Sequence, residues 1–294
     1  MHHRYLACVL LGAASVHASP AAADTALSVS PTTAHPGDPV LVTVTGSKGP
    51  GNQASKELPH GTANGNPLQF FPARGGYQAV FAIALDAKLE PITIEVDSVA
   101  KPRTVQVRAV TFPESNVVVE DELANPDKAD RQRIDADNVA ILHAAARAKG
   151  DPLFVAAFRR PPGEVTSQFG EWRTFNDGHR SQHLGLDLFA REGSPTRAIN
   201  AGTVVLVREC FLAGHVVVVA HGGGIASAYY HLSKTSVAEG DTIAAGDPIG
   251  LAGHTGRATG PHLHLSIHVA GGMVDPAPFF RLKFAPEPAK LTRH

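Results

Sequence analysis

In Gly260-Pro261-His262-Leu263-His264-Leu265, two histidines stand two residues apart within an apolar run. Side chains alternate faces along a strand, so both imidazoles would emerge on the same side. Upstream, in Gln182-His183-Leu184-Gly185-Leu186-Asp187-Leu188-Phe189, leucines at every second position alternate with His183, Gly185 and Asp187. That pattern puts apolar side chains on one face and an imidazole and a carboxylate on the other. Nitrogen and oxygen donors of this kind suit zinc, and three protein donors without cysteine describe an open catalytic site rather than a closed structural one. The hypothesis is a catalytic zinc site holding one Zn2+ ion per chain. His231, in Tyr229-Tyr230-His231-Leu232-Ser233, closes an apolar run and is a further candidate, although spacing alone does not rank its role.

These residues need elements that bring them together. Along a straight strand His183 and Asp187 would stand ~13 Å apart, too far to share ligand bonds of about 2.0 to 2.2 Å, so the backbone must bend between them. Gly185 is the residue expected to supply that bend through dihedrals closed to other residues. His262 and His264 lie about 6.6 Å apart along a strand, which lets both rings approach one centre, one as ligand and the other facing substrate.

The 294 residues exceed the usual size of one domain, and two are expected. A net charge of -1 gives no global attraction to nucleic acid or to an anionic membrane, so no nucleic-acid partner is expected. With 28 glycines, 22 prolines and many Val and Thr residues, the chain reads as mainly β. Residues 1–23 have the layout of a secretory signal peptide, with His2, His3 and Arg4 before an apolar run and small residues after it. Export follows, with no transmembrane anchor in the mature protein, since no later run reaches the ~20 apolar residues a spanning helix needs. Once Cys8 leaves with that segment, Cys210 remains alone and no intramolecular disulfide is expected.

Residues 24–110 alternate short apolar runs with Pro/Gly/Asn-rich turns such as Pro36-Gly37-Asp38 and Gly75-Gly76, which reads as a small β-sandwich acting as spacer, binding or steric unit. Residues 111–154 form a linker with one α-helix, begun by Asn125 as N-cap and Pro126 at the first helical position, carrying Ile134, Val139, Leu142 and Ala146, and ended at Gly150. Residues 155–285 return to β texture, with apolar runs at 202–207, 216–220, 225–230 and 263–269, and residues 286–294 form a Pro/Lys-rich tail expected to fray.

The second half resembles the lysostaphin-type (LytM-like, duplicated-hybrid-motif) zinc metalloendopeptidases that cut peptidoglycan. The likeness runs from about Pro161 to Phe280. It is carried by the His183-x-x-x-Asp187 element, by His231-Leu232-Ser233, and by Gly256-Arg257-Ala258-Thr259-Gly260-Pro261-His262-Leu263-His264, with Thr166-Ser167-Gln168-Phe169-Gly170 and Val274-Asp275-Pro276 alongside. The resemblance implies His183, Asp187 and His264 as zinc ligands and His231 and His262 as catalytic residues. It further implies a C-terminal antiparallel β metallopeptidase domain behind an immunoglobulin-like leader sandwich. The implied substrate is peptidoglycan, its stem peptides and cross-bridges, met in the periplasm or outside the cell, with room for a regulatory protein partner. The implied mechanism is metal-assisted hydrolysis in which His231 and His262 orient water, move its proton or hydrogen-bond the developing oxyanion. Ser266, where many relatives carry glutamate or glycine, and His215, where asparagine is common, depart from the pattern without removing a donor.

Other residues read as structural. His179, His215, His221, His254 and His268 are expected in loops or at the surface, Tyr229 and Tyr230 in a β core, Cys210 as a small buried residue and Gly222-Gly223-Gly224 as a turn. A non-hydrolytic wall-binding protein of the same fold would have degraded motifs, whereas all five positions are intact. A lipoyl or biotinyl carrier, suggested by the turn pattern of 237–249, would need a lysine that this segment lacks.

Overall fold

A computed structural model describes residues 25–46, 58–176, 178–270 and 272–287. The expected signal segment with Cys8, and the tail from 288 onward, lie outside the described residues. The protein is mainly β. Between Ala26 and Val107 there are two sheets. One joins Ala26–Ser30, Pro39–Thr45, Gly76–Ala82 and Phe71–Ala73; the other joins Thr33–Ala34, Arg103–Val107, Ile92–Val96, Gly61–Ala63 and Asn66–Pro67. The period of two sends Val40, Val42 and Val44 from the first sheet and Ile94, Val96, Val105 and Val107 from the second into one buried cluster. Leu41 and Val80, on the opposite faces of their strands, instead join a second cluster with Phe154. The two halves therefore share packing.

The second half is organised on an eight-stranded sheet. Its strands run in the order Val165–Ser167, Leu186–Phe189, His262–Val269, Ile225–Leu232, Gly214–Gly222, Gly202–Cys210 and Thr242–Ile243, with Gly272–Val274 added beside His262–Val269. The long apolar runs of the sequence form its central strands because both faces are covered. One face buries Leu186, Leu188, Leu263, Leu265 and Ile267 against Phe154, Phe158 and Phe279. On the other, Val216, Val218, Ala226 and Ala228 meet Ile141, Ala144, Ala145 and Ala148. Cross-strand partners share a face, and the register matches Ala226 with His268, Ala228 with Ser266, and Tyr230 with His264. The face that holds His264 is thus the face on which the helix lies.

That helix, Lys128–Ala145, starts two residues later than expected. Its N-cap is Asp127, whose side chain accepts the Asp130 N–H at 2.8 Å, while Pro126 precedes the cap. The expected apolar face is also corrected: Val139 and Leu142 are exposed, and Asp137, Ile141, Ala144 and Ala145 are buried. A carboxylate hides this stripe from an apolar-periodicity reading. Asp137 accepts from Arg208 Nε and from the Phe211 N–H, each at 2.8 Å, and so ties the helix to the Gly202–Cys210 strand. The stretch expected as a linker also contributes a strand, Glu114–Val117, paired in parallel with Trp172–Phe175. At the start of the expected tail, Pro286 bridges Ala73 and the Glu287 N–H donates to the Pro72 carbonyl, so the first tail residues are paired.

Two histidines expected in loops or at the surface are buried in strands. His221 is held by the Ala201 carbonyl at 2.7 Å and Ser227 Oγ at 2.8 Å. His268 is 2 % exposed, and neither ring nitrogen has a hydrogen-bond partner among the described residues. Burial lowers the His268 pKa to about 4 from 6.5. Because the unfolded chain binds the proton more readily, stability present above pH 6.5 is lost as pH falls toward 4. Replacing His268 by leucine removes two unsatisfied polar atoms at similar volume, and is expected to add about 1–2 kcal/mol at neutral pH and to shallow the acid loss. Urea unfolding of both proteins at pH 7 and pH 5 checks this. An unchanged midpoint, or a steeper acid loss in the variant, would contradict it.

Candidate metal centre

Asp187 sits in the strand Leu186–Phe189, directly opposite His264 of His262–Val269. His183 precedes that strand, so the pair never has to converge from a straight ladder. His183 Nε2 lies 3.0 Å from Asp187 Oδ1, His264 Nδ1 lies 2.8 Å from the same oxygen, and the two nitrogens are 2.8 Å apart. His183, Asp187 and His264 each offer one donor atom, all within 4.8 Å of one another. The sequence brings the right residue types here, but the reason for Gly185 differs from the expected one. Its φ is not among the left-handed values. A Cβ at Gly185 would lie 2.5 Å from His264 Nε2 and 2.8 Å from the Leu265 carbonyl, so glycine is required by close approach rather than by backbone bending.

The outer contacts fix which nitrogen of each ring faces inward. The Gln168 carbonyl, 2.8 Å from His183 Nδ1, can only accept, so Nδ1 carries the hydrogen and Nε2 presents its lone pair. Ser266 Oγ donates to the Leu184 carbonyl at 2.7 Å and thereby accepts from His264 Nε2 at 3.1 Å, which leaves His264 Nδ1 as the inward donor atom. The departure at Ser266 is therefore a working hydrogen bond. Asp187 Oδ2 is occupied as well: Arg173 donates to it at 2.5 Å and to Ser167 Oγ at 2.7 Å, and Ser167 donates in turn to Glu171. Burial opposes the charged form of Asp187. The bonds and charges of His183 and His264 outweigh it and hold the pKa far below the ordinary carboxylate range.

Three electron-rich atoms at these distances, with every outer position already used, are favourable when they share a positive charge. The donor set of two imidazoles and one carboxylate therefore fits a divalent ion of the zinc class.

His231 and His262 flank this cluster. Their ring centroids are 5.0 Å apart, and His231 is 5.9 Å from His264. Nδ1 of His231 donates to the Thr255 carbonyl and Nδ1 of His262 to the Gly260 carbonyl, both at 2.8 Å, so each ring keeps Nε2 as an acceptor that has no hydrogen bond among the described residues. His262 Nε2 stands 3.7 Å from Asp187 Oδ1. Burial, then the neighbouring His264 and His262, push the His231 pKa down to about 3, and burial lowers that of His264 to about 4. His231 reaches this place through a bulge. Between the pairs Val217 with Tyr229 and His215 with Leu232, one residue faces two, and His231 has φ +57°. Without the extra residue, His231 would share the core-facing side of Tyr229 rather than the metal-facing side of Tyr230.

Tyr229 is in the core as expected, its hydroxyl accepting the Ile199 N–H at 2.9 Å. Tyr230 stands edge-on to His264, with centroids 4.7 Å apart, and joins the groove wall. Cys210 is buried, and burial raises its thiol pKa to about 11, as befits an inert residue. The groove over the cluster has a volume of about 650 Å3 and is lined in addition by Arg173, Arg257 and Asn116. Arg173 was not singled out from the sequence. An arginine four residues past Phe169 carries no recognisable spacing signal, and its role appears only when Trp172–Phe175 is folded beside Asp187.

A β fold with a buried two-histidine, one-carboxylate cluster and two further free imidazoles defines a candidate metallohydrolase. Residues 181–276 match Peptidase family M23. It is 38% identical over 131 residues to a peptidoglycan DD-endopeptidase, ShyA, from Vibrio cholerae, covering 43% of this chain and 30% of the relative. It is 39% identical over 94 residues to the DD-carboxypeptidase/endopeptidase Mpg of Neisseria meningitidis, covering 32% and 22%. Among solved structures, a putative peptidase M23 from Pseudomonas aeruginosa superposes with a TM-score of 0.61 at 27% identity, covering 83% of this chain and 94% of that one. The chain spans less than a third of the length of these two curated relatives.

Because the Gly185 position abuts the ring of His264, Gly185→Ala is expected to displace that ring and weaken divalent-metal binding by roughly ten- to a hundredfold, the range typical of disturbed outer contacts. Chelator competition measures it. Wild-type metal affinity in the variant would show that His264 does not depend on this contact.

Proposed function

We propose that this protein is an exported zinc metalloendopeptidase that hydrolyses peptide cross-links of bacterial peptidoglycan, in wall remodelling or lysis. The observation that carries the reading is the convergence of His183 Nε2, Asp187 Oδ1 and His264 Nδ1, with the outer atoms of all three already committed to other partners. The family match and the names of the relatives supply the substrate class. His183, Asp187 and His264 are read as the zinc ligands. Bound there, the ion supplies Lewis acidity toward a peptide carbonyl and makes water a usable nucleophile near neutral pH.

The residues of the chain do the rest. His231 and His262, each with its Nδ1 tied to a backbone carbonyl and its Nε2 toward the groove, accept a proton from water or hydrogen-bond the carbonyl oxygen as charge develops on it. The low pKa of His231 keeps it in the accepting form across the working pH range. Arg173 holds the second oxygen of Asp187, so that only one is turned toward the histidines. The groove takes the peptide in extended form between the Arg257 side and the Asn116 side.

The wall outside the cytoplasm, periplasmic or extracellular, is the proposed place of action, reached through the signal segment 1–23. Among the described residues no helix is long and apolar enough to cross a membrane. The two sheets of residues 26–107 are proposed to be an immunoglobulin-like spacer, open to a regulatory protein partner.

The test uses the purified chain with defined peptidoglycan, with and without chelator, reading released fragments by mass. His264→Ala and Asp187→Ala should lose both bound zinc and turnover. His231→Ala should keep zinc and lose about two to four orders of magnitude in rate. Full hydrolysis by metal-free protein would overturn the reading.

A further inference from the structure

A second cavity, of about 430 Å3, lies where residues 159–163 cross the end of the Leu186–Phe189 strand, and it shares no lining residue with the groove over the metal centre. Its apolar surface includes Phe189, which is 55 % exposed, and Leu263, and its wall carries Arg159, Arg160, Arg191 and Arg197. No aspartate or glutamate lines it. Among the described residues, none of the four arginines forms an ion pair. Two of them are fixed nonetheless: Arg160 donates to the Pro161 carbonyl at 3.1 Å and the Gly163 carbonyl at 2.8 Å, and Arg197 to the Gly246 carbonyl at 3.0 Å. These bonds hold the guanidinium groups in place without neutralising them. Three acidic side chains adjoin the wall without lining it: Glu192 is taken by His254 at 2.7 Å, Asp247 by the Ala244 N–H at 2.8 Å, and Glu164 follows Gly163 at the surface.

All four arginines are exposed and solvated, so their common sign carries no penalty by itself; it attracts anions to a wall that has no carboxylate, and a planar carboxylate is the anion that a guanidinium fork matches best. The position adds the second argument. Phe189 is paired with His262, and Asp187 with His264, so Phe189 at the cavity rim stands two residues, about 6.6 Å, along the strand from the metal-ligand pair, while Leu263 lines the cavity from the core-facing side. An extended peptide crossing the centre reaches that rim about two residues from the bond being cut.

We propose that the arginine-walled cavity is a carboxylate-binding subsite that selects peptides with a free carboxylate about two residues from the scissile bond. The proposal rests on the reading of the metal groove as a peptidoglycan endopeptidase site. It assigns the substrate class more narrowly: cross-linked stem peptides with free acids rather than amidated ones.

Two synthetic cross-linked stem-peptide dimers, alike except that one has free carboxylates and the other amides, provide the probe. The full chain and two double variants, Arg159→Gln/Arg160→Gln and Arg191→Gln/Arg197→Gln, are compared by kcat/KM with zinc and by calorimetric binding without it. The wild type should favour the free acid roughly tenfold or more in both readouts, and each double variant should bring that ratio toward one. A wild-type ratio near one, or a preference that survives in both variants, overturns the subsite. If neither dimer is cut by the zinc-loaded protein, the endopeptidase reading fails, and the calorimetric ratio still decides the carboxylate site. Should a double variant unfold, the four single substitutions are read in the same way.

Discussion

The structure of the site depends on one electrostatic constraint: a buried carboxylate oxygen and two imidazole nitrogens are brought within about one hydrogen-bond length of one another, with lone pairs facing inward. Such a cluster is repulsive unless a cation is shared, and its charge is worth most where water is excluded. Every outer contact enforces the arrangement. The Gln168 carbonyl, Ser266 and Arg173 each take the atom that points away, so no ring can flip and the carboxylate cannot turn without losing a hydrogen bond.

The sheet gives this cluster its rigidity. Asp187 and His264 are direct cross-strand partners, and Tyr230 lies opposite His264 on the next strand, so three adjacent strands define one floor. The helix Lys128–Ala145 packs on the same face beyond Ala228 and Ala226, which buries the remainder of that face and leaves the groove at one end. Asp137 anchors the helix by charge beside the apolar contacts of Ile141, Ala144 and Ala145. The face is therefore divided between a structural half and a chemical half, and His268, under neither ligand nor partner, marks the buried side of that division.

Close approach recurs as the local rule. Gly185 leaves room for the His264 ring. Gly163, at φ +123°, passes so near the Phe189 carbonyl that a Cβ would lie 2.5 Å away, which lets residues 159–163 close over the strand end and form the arginine-walled cavity. In both places the absence of a side chain permits two backbones, or a backbone and a ring, to share space that any other residue would fill.

The donor types, the mainly β texture and the central apolar runs are legible in the residues alone, because alternation along a strand is local and survives without knowledge of partners. So are His183, Asp187, His231, His262 and His264, through motifs whose spacing is short. The remaining features arise from how distant segments meet. Strand register set Asp187 against His264, the bulge turned His231 from the core side to the groove side, and the approach of Trp172–Phe175 delivered Arg173 to Asp187. The true buried face of the helix was concealed by Asp137, a charged residue whose partners lie 71 and 74 positions away in the chain. Registers, bulges and long-range ion pairs are properties of which segments meet, and a single strand's pattern of side chains holds no record of its neighbour.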